Sequence, residues 1–444
     1  MDPASLTANR RLFGTDGVRG PVGELLTPEL AVALGRAAAA ETGVDRPQVV
    51  IVRDTRESGP MLESALAAGI AAAGGDAYLG GVLPTPAASI LVRRHGLDLA
   101  AVVSASHNPW RDNGIKFFGP GGVKLDDEIE TRIEQRVAQG QPSGEGGTGR
   151  VRALEGALDD YLRELTSAFE PNLAGRRILL DCANGAAHRA APAAFERLGA
   201  TVETFAAEPD GRNINEGCGA IHPGLLAERI RESGAEIGFA FDGDGDRVLA
   251  VDRRGAVRDG DEILALIATY LRRRDRLPGG VVVTVMTNFG FRAAMADAGI
   301  EMATTKVGDR YVIEELRERG WELGGEQSGH VIWMAFTGTG DGIAAALLLH
   351  NALEGADLAK VAPFEKLPQK LVNVELAEPE ALDRATELWE AVEHEESALE
   401  GRGRVLVRPS GTEPLVRLMV EAPSLEECDE ILGRLTEVAE RELA

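Results

Sequence analysis

The segment Asp242-Gly-Asp244-Gly-Asp246-Arg247 closes an apolar run, IGFAF, and is the most chemically loaded stretch of the chain. Three carboxylates at alternate positions, separated by glycines, can fold their oxygens around one hard cation. Packed together without a cation they would repel one another. An EF-hand calcium loop is excluded, because its sixth and twelfth positions require Gly and Glu where this chain has Arg247 and Arg253. Three protein oxygens leave positions open, which suits a magnesium ion that also touches a phosphate.

Ser104-Ala105-Ser106-His107-Asn108-Pro109 follows the apolar run LAAVV and leads to Asn113-Gly114-Ile115-Lys116. A serine at the carboxyl end of a buried strand stands where α/β proteins place ligands. Ser and Asn before Pro are also ordinary turn formers, so this segment alone does not decide between a site and a turn. A Ser-His-Asp hydrolase would want a G-x-S-x-G elbow, which is missing here. Gly324-Gly325-Glu326-Gln327-Ser328-Gly329-His330 offers donors and acceptors suited to sugar hydroxyls. Arg408-Pro409-Ser410-Gly411-Thr412-Glu413-Pro414, with Arg417 beyond, combines arginine forks, hydroxyls and exposed backbone into a phosphate cradle, the alternative being a proline-bounded hairpin.

The elements that must position these loops alternate between helical and strand periodicity. TPELAVALGRAAAAETG and SGPMLESALAAGIAAAGG read as helices, and QVVIVRD and LAAVVSAS as buried strands. A Gly/Ser-rich stretch at 140–150 interrupts the rhythm, which restarts with ALDDYLRELTSAF, RRILLDCANGAA and EIGFAFDGDGDR. A third restart runs GDEILALIATYLRRR, GGVVVTVMT, FRAAMADAG and RYVIEELRERG, in the order helix, strand, helix, helix. From about 368, two long helical patterns flank GRVLVRPS and LVRLMVEA. The expected fold is α/β: three consecutive α/β domains with mixed sheets, then a C-terminal α+β domain. Their expected spans are 1–150 (serine loop), 151–252 (metal loop), 253–367 (sugar loop) and 368–444 (phosphate cradle). No short-period repeat is visible, which excludes a solenoid.

Composition narrows the partners. With 47 basic and 71 acidic residues the net charge is -24, and no basic run appears, so no nucleic acid is expected. No apolar stretch is long enough to span a bilayer, and the N-terminus has no apolar core of a signal peptide; no membrane and a cytoplasmic location are expected. Cys182, Cys218 and Cys428 are odd in number and far apart, which suits buried thiols rather than a disulfide framework or a zinc site. The lysines number only six, and such an acidic, lysine-poor balance suits a protein kept soluble in high salt. Neither a Walker A sequence nor a dinucleotide fingerprint is present.

Taken together and in this order, the four loops resemble the α-D-phosphohexomutase family, from Phe13 to about Val420. The resemblance implies four domains around a central cleft, each giving one loop. It implies that Ser106, not Ser104, is carried as phosphoserine. It also implies that one magnesium ion per subunit is bound by Asp242, Asp244, Asp246 and the group on Ser106, and that Arg247 touches the phosphoserine. Glu326, Ser328 and His330 would grip sugar hydroxyls, and Arg408, Ser410, Gly411, Thr412 and Arg417 would hold the phosphate that is not reacting. Lys116, or His107 beside the serine, would serve as general acid or base. The segments FGTDGVRG, with Arg19, KVGDRY, with Lys306, Asp309 and Arg310, NINEGCGAIHP and the Gln327 amide resemble the branch that handles amino-sugar phosphates. Ser104 stands where Thr is more common in the family, and Ala220-Ile221 where that branch commonly has Ser-Thr. The expected partners are a hexose phosphate and a sugar bisphosphate, with a second copy of the chain as a candidate. The alternatives are a sibling mutase for mannose or glucose phosphate and a catalytically silent sugar-phosphate binder.

Overall fold

The computed structural model describes residues 11–443 apart from 15, 141–146, 170, 377–380 and 410–414. These residues fall into two compact units, one of the chain up to Met286 with Ile300–Val361, the other of Thr287–Gly299 with the chain from Ala362 on.

The first unit contains three sheets. The first has the order β1-β2-β6-β5-β3-β4-β7, from β1 (Phe13–Gly14), β2 (Gly17–Pro21), β3 (Gln48–Arg53), β4 (Asp76–Val82), β5 (Leu99–Val103), β6 (Asp112–Phe118) and β7 (Val151–Ala153). The strands β5, β3, β4 and β7 are parallel, and β6 turns back antiparallel to β5 with Val102 opposite Lys116. Helices Pro28–Glu41, Gly59–Ala72, Thr85–Arg94 and Asp127–Ala138 accompany this sheet. Thr27 caps the first of them by accepting from Leu30 N at 3.2 Å, and proline occupies its first turn where a missing N–H costs nothing.

The second sheet, β12-β11-β10-β8-β9, is built from β8 (Arg177–Asp181), β9 (Thr201–Phe205), β10 (Ile237–Phe241), β11 (Val248–Asp252) and β12 (Val257–Arg258). The third, β14-β13-β15-β16, contains β13 (Val281–Thr284), β14 (Met302–Thr305), β15 (Leu323–Gly325) and β16 (Val331–Trp333). In both, parallel strands hand over to antiparallel ones: β10 is parallel to β8 and antiparallel to β11, which pairs antiparallel with β12, and β15 is parallel to β13 and antiparallel to β16. Helix Gly342–Leu353 is almost wholly buried, in keeping with its sequence GIAAALLLHNAL, and Asp341 caps it through Ala344 N at 2.9 Å.

The second unit holds an antiparallel sheet, β17-β19-β18, of β17 (Gln369–Glu375), β18 (Arg404–Pro409) and β19 (Leu415–Glu421). Helices Thr386–Leu399 and Leu425–Leu443 pack one apolar core against it, with Leu388, Leu418 and Leu435 fully buried. Helix Phe289–Asp297 also belongs to this unit.

The α/β class with a C-terminal α+β part stands, and three details differ from what the sequence pattern predicts. Strand β14 separates two helices that read as consecutive; its four residues, MATT, are too few to show a period. Strand β17 precedes the C-terminal helices and has no counterpart in the periodicity. The pattern PEALDRATELWEAVEHEESAL is broken at Ala385, whose ψ of 72° leaves the helical region. Among the described residues all three cysteines are free and buried, and no helix is long and apolar enough to cross a membrane.

Candidate active site

Three hairpins of the first unit each carry one of the polar loops. Ser104–Arg111 joins β5 to β6, Asp242–Arg247 joins β10 to β11, and Glu326–His330 joins β15 to β16. The sheets thereby place their loops at carboxyl ends of parallel strands, where α/β folds leave room for ligands.

The structure brings Ser106 and the aspartates together. Ser106 is buried, and its Oγ donates to Asp242 Oδ2 at 2.6 Å and lies 3.3 Å from His107 Nδ1. Its φ of 49° is left-handed, a conformation that costs a side-chain-bearing residue about 1–2 kcal/mol and is held only by its surroundings. Ser104 plays a different part, since its Oγ donates to Asp54 Oδ2 at 2.6 Å and accepts from Ser106 N at 3.0 Å. That saturated hydroxyl separates Ser104 from Ser106.

Asp242, Asp244 and Asp246 are buried, and one ligand oxygen from each lies within 4.8 Å of the others. Asp244 Oδ2 accepts from Thr85 Oγ1 at 2.6 Å and from Lys116 Nζ at 2.8 Å, whereas its Oδ1 has no hydrogen-bond partner. Asp246 Oδ1 is likewise without a hydrogen bond. Three buried carboxylates so close together, two of them with an oxygen that has no hydrogen bond, are the donor set of a hard divalent cation, so the residues fit a metal site. Burial, then the charges of Asp246 and Asp244, push Asp242 well above the usual carboxylate range, a penalty that a bound cation removes.

Around this triad the charges alternate. Burial opposes the ionisation of Lys116, yet Asp16, Asp244 and Asp246 outweigh it and hold the ammonium protonated. Asp16 is also desolvated, and Lys116, Lys124 and Arg19 nevertheless hold it well below the usual carboxylate range. Lys124 pairs with both Asp16 and Asp309. Burial, helped by Arg247 and Arg19, lowers His107 to about 4, so its imidazole is neutral near pH 7. Arg247 donates its backbone N–H to Asp242 Oδ1 at 3.2 Å, and its Nε has no hydrogen-bond partner.

The third loop is tied to the same region. His330 is buried, with Nδ1 3.6 Å from Asp246 Oδ1 and Nε2 3.8 Å from Asp309 Oδ2. Gly340 N–H donates to Nε2 at 3.1 Å, which places the ring proton of the neutral form on Nδ1; burial opposes a second proton, but Asp246, Asp309 and Glu326 prevail and raise the pKa. Glu326 Oε1 accepts from Gly308 N at 3.0 Å and so fastens KVGDRY to the loop. Gln327 is half-buried and Ser328 exposed.

The remaining predicted residues are placed as follows. Arg19 pairs with Asp16. Lys306 is exposed, and Arg310 donates to Glu130 Oε2 at 2.8 Å, a contact within the protein. In the second unit, Arg408 and Arg417 stand opposite each other on β18 and β19. Burial and the Arg417 charge lower the Arg408 pKa, and an anion would relieve both. Ser410, Gly411 and Thr412 lie outside the described residues. Asp16, Asp54, Arg56, Thr85, Lys124 and Asn215, which sequence alone does not single out, also line or brace the site. Of these, Asp16 and Asn215 stand inside segments that the sequence marks, FGTDGVRG and NINEGCGAIHP.

Four family descriptions match the chain in order: phosphoglucomutase/phosphomannomutase alpha/beta/alpha domain I over residues 10–143, domain II over 159–255, domain III over 259–369 and the C-terminal domain over 371–438. With the serine and aspartate loops assembled on such domains, the chain belongs to the phosphoglucomutase/phosphomannomutase family, the α-D-phosphohexomutases. Within that family it is most like the phosphoglucosamine mutases. It is 50% identical over 424 residues to the phosphoglucosamine mutase of Desulforudis audaxviator, covering 93% of this chain and 94% of that protein. It is 49% identical over 439 residues to that of Moorella thermoacetica, covering 97% and 99%. A solved phosphoglucomutase/phosphomannomutase family protein from Burkholderia thailandensis superposes with a TM-score of 0.83 at 26% identity, covering 97% of each chain.

Proposed function

We propose that this chain is an isomerase that interconverts glucosamine 6-phosphate and glucosamine 1-phosphate, through a phosphoserine at Ser106 and a bisphosphorylated sugar. The observation that carries the chemistry is the seating of the Ser106 hydroxyl on Asp242, at the edge of three buried carboxylates. The near full-length similarity to phosphoglucosamine mutases supports the substrate.

In this reading Asp242, Asp244 and Asp246, with the phosphoryl group on Ser106, hold one Mg²⁺, which supplies positive charge beside the transferring phosphoryl. Arg247 and Lys116 add fixed cations around the same group, Lys116 as a permanent ammonium rather than a base. His107, neutral and 3.3 Å from Ser106 Oγ, accepts the proton of the attacking hydroxyl and returns it. Arg19, Lys306, Asp309, Arg310, Glu326, Gln327, Ser328 and His330 orient the sugar and its phosphate. The phosphate that is not reacting falls to Arg408, Ser410, Gly411, Thr412 and Arg417. After the first transfer the bisphosphate turns end for end, and its other phosphoryl returns to Ser106. Domain roles follow the loops: serine over 1–150, metal over 151–252, sugar over 253–367 and phosphate over 368–444, with β7 (Val151–Ala153) added to the serine sheet, β12 (Val257–Arg258) to the metal sheet and Thr287–Gly299 to the phosphate unit.

The test compares kcat/KM on glucosamine, glucose and mannose 6-phosphates, in wild type and Ser106→Ala. Glucosamine 6-phosphate should lead and the variant should be inactive while folded. A clear preference for glucose or mannose phosphate would overturn the aminosugar assignment, and an active Ser106→Ala would overturn the phosphoserine.

A further inference from the structure

NINEGCGAIHP, residues 213–223, marks a branch of the family by sequence but has no part in the mechanism above. Its Asn215 is buried and reaches out of the second sheet's loops to the serine loop, where Nδ2 donates to the Ser106 carbonyl at 2.9 Å. The same carbonyl accepts from Arg56 at 2.8 Å. Arg56 is fully buried, and its guanidinium also binds the carbonyls of Asn108, Pro109 and Asp112 and the Asp54 carboxylate. The metal loop closes on the same atom: a Cβ at Gly243 would lie 2.4 Å from Ser106 O and 2.7 Å from Asn215 Nδ2. Asn215 itself has φ 60°, and its N–H donates to Ala183 O at 2.9 Å, which anchors the backbone from which the side chain reaches.

We infer that Asn215 is a positioning residue for phosphoryl transfer, locking the left-handed Ser106 backbone so that Oγ stays aimed at the metal-loop carboxylates. A carbonyl held by two donors cannot swing, and with φ fixed at a strained value the Cα–Cβ bond has one direction, from which Oγ reaches Asp242 Oδ2 at 2.6 Å. Release of one donor lets Ser106 relax toward negative φ, which moves Oγ off Asp242. Displacement of a reacting atom by about 1 Å costs on the order of 100-fold in rate. This inference rests on Ser106 being the phosphoryl carrier.

The experiment follows loading of Ser106 from a hexose 1,6-bisphosphate by intact-protein mass. In that step the P–O bond to the sugar breaks as the P–O bond to Ser106 Oγ forms, and the serine proton passes to the sugar oxygen. Asn215→Asp keeps the shape and removes the donor, whereas Asn215→Gly keeps the positive φ and removes the side chain. Both should load, and turn over glucosamine phosphate, about tenfold or more slowly, with KM within about twofold of wild type and, in the uncharged Asn215→Gly, Mg²⁺ affinity within about twofold as well. A space-filling role would leave Asn215→Asp at the wild-type rate, and general collapse of the site would move metal affinity as well; either result overturns the inference. If wild-type Ser106 takes no phosphoryl group, the phosphoserine reading has failed instead.

Discussion

Asp244 shows how much of a site is set by one side chain's two oxygens. Thr85 and Lys116 occupy Oδ2 and leave Oδ1 unpartnered, so the carboxylate is turned before any ligand arrives. Replacing Asp244 with Asn removes a ligand charge while keeping an acceptor for Thr85. Calorimetric titration with Mg²⁺ should show the affinity of Asp244→Asn at least about tenfold weaker, by roughly 1.4 kcal/mol or more. Equal affinity would remove Asp244 from the metal set. Gln327 bears on the sugar: its amide both donates and accepts, whereas methionine does neither in strength. Gln327→Met should narrow the lead of glucosamine 6-phosphate over glucose 6-phosphate by roughly tenfold in kcat/KM. Sequence exposed these residues because carboxylates, Gly spacing and polar loops are local patterns. It did not expose what Asn215 and Arg56 do, since an Asn in a Gly-rich loop and an Arg after a strand look alike whether they face water or a carbonyl 50 residues or more away.

The repeated element is a hairpin in which a parallel strand hands over to an antiparallel one: β5 to β6, β10 to β11, β15 to β16. Each turn carries a polar loop, so the chain repeats a device three times without repeating a sequence. The apolar runs LAAVV and IGFAF announced two of the leading strands. The returning strand β6 was hidden, because NGIKFF mixes a turn, a lysine and aromatics, and Lys116 is buried there only by its charge partners. Close packing keeps the third loop in place. Gly329 has φ 93°, and a Cβ there would lie 2.3 Å from Val248 O at the start of β11. Gly329→Ala should therefore lower kcat/KM for the sugar phosphate by at least about tenfold and lower stability by about 1–3 kcal/mol. Wild-type kinetics in that variant would mean that the loop bears no part of the sugar.

At the scale of the whole molecule, the α/β class and the terminal change of character were legible in the alternation of periods, whereas β14 and β17 carried too little pattern to be seen. Stability as a function of pH is another whole-molecule property. His350 packs edge-on to Phe195 and Phe239, and burial, with Arg176 nearby, lowers it to about 4. An unfolded histidine titrates near 6.5, so between about pH 6.5 and 4 the unfolded chain binds a proton that the folded chain refuses. The stability from the neutral ring is full above pH 6.5 and lost as pH falls toward 4. Melting temperatures of His350→Gln should fall less steeply than those of wild type over that window, by the share of about one proton, His107 keeping its own share.

The two central lysines have a practical consequence. Lys116 is buried and Lys124 nearly so, and both are locked as ammonium ions, which carry no lone pair, so an acylating reagent has little to attack there. Lys306, Lys360 and Lys366 are exposed, and Lys370 is half-exposed beside Asp429. Mild treatment with an amine-reactive ester should decorate these four and leave Lys116 and Lys124 unmodified. Because Lys306 is the exposed amine nearest the proposed sugar contacts in sequence, its acylation, read by peptide mapping, becomes a footprint of occupancy: slower when sugar phosphate is present, unchanged at Lys360.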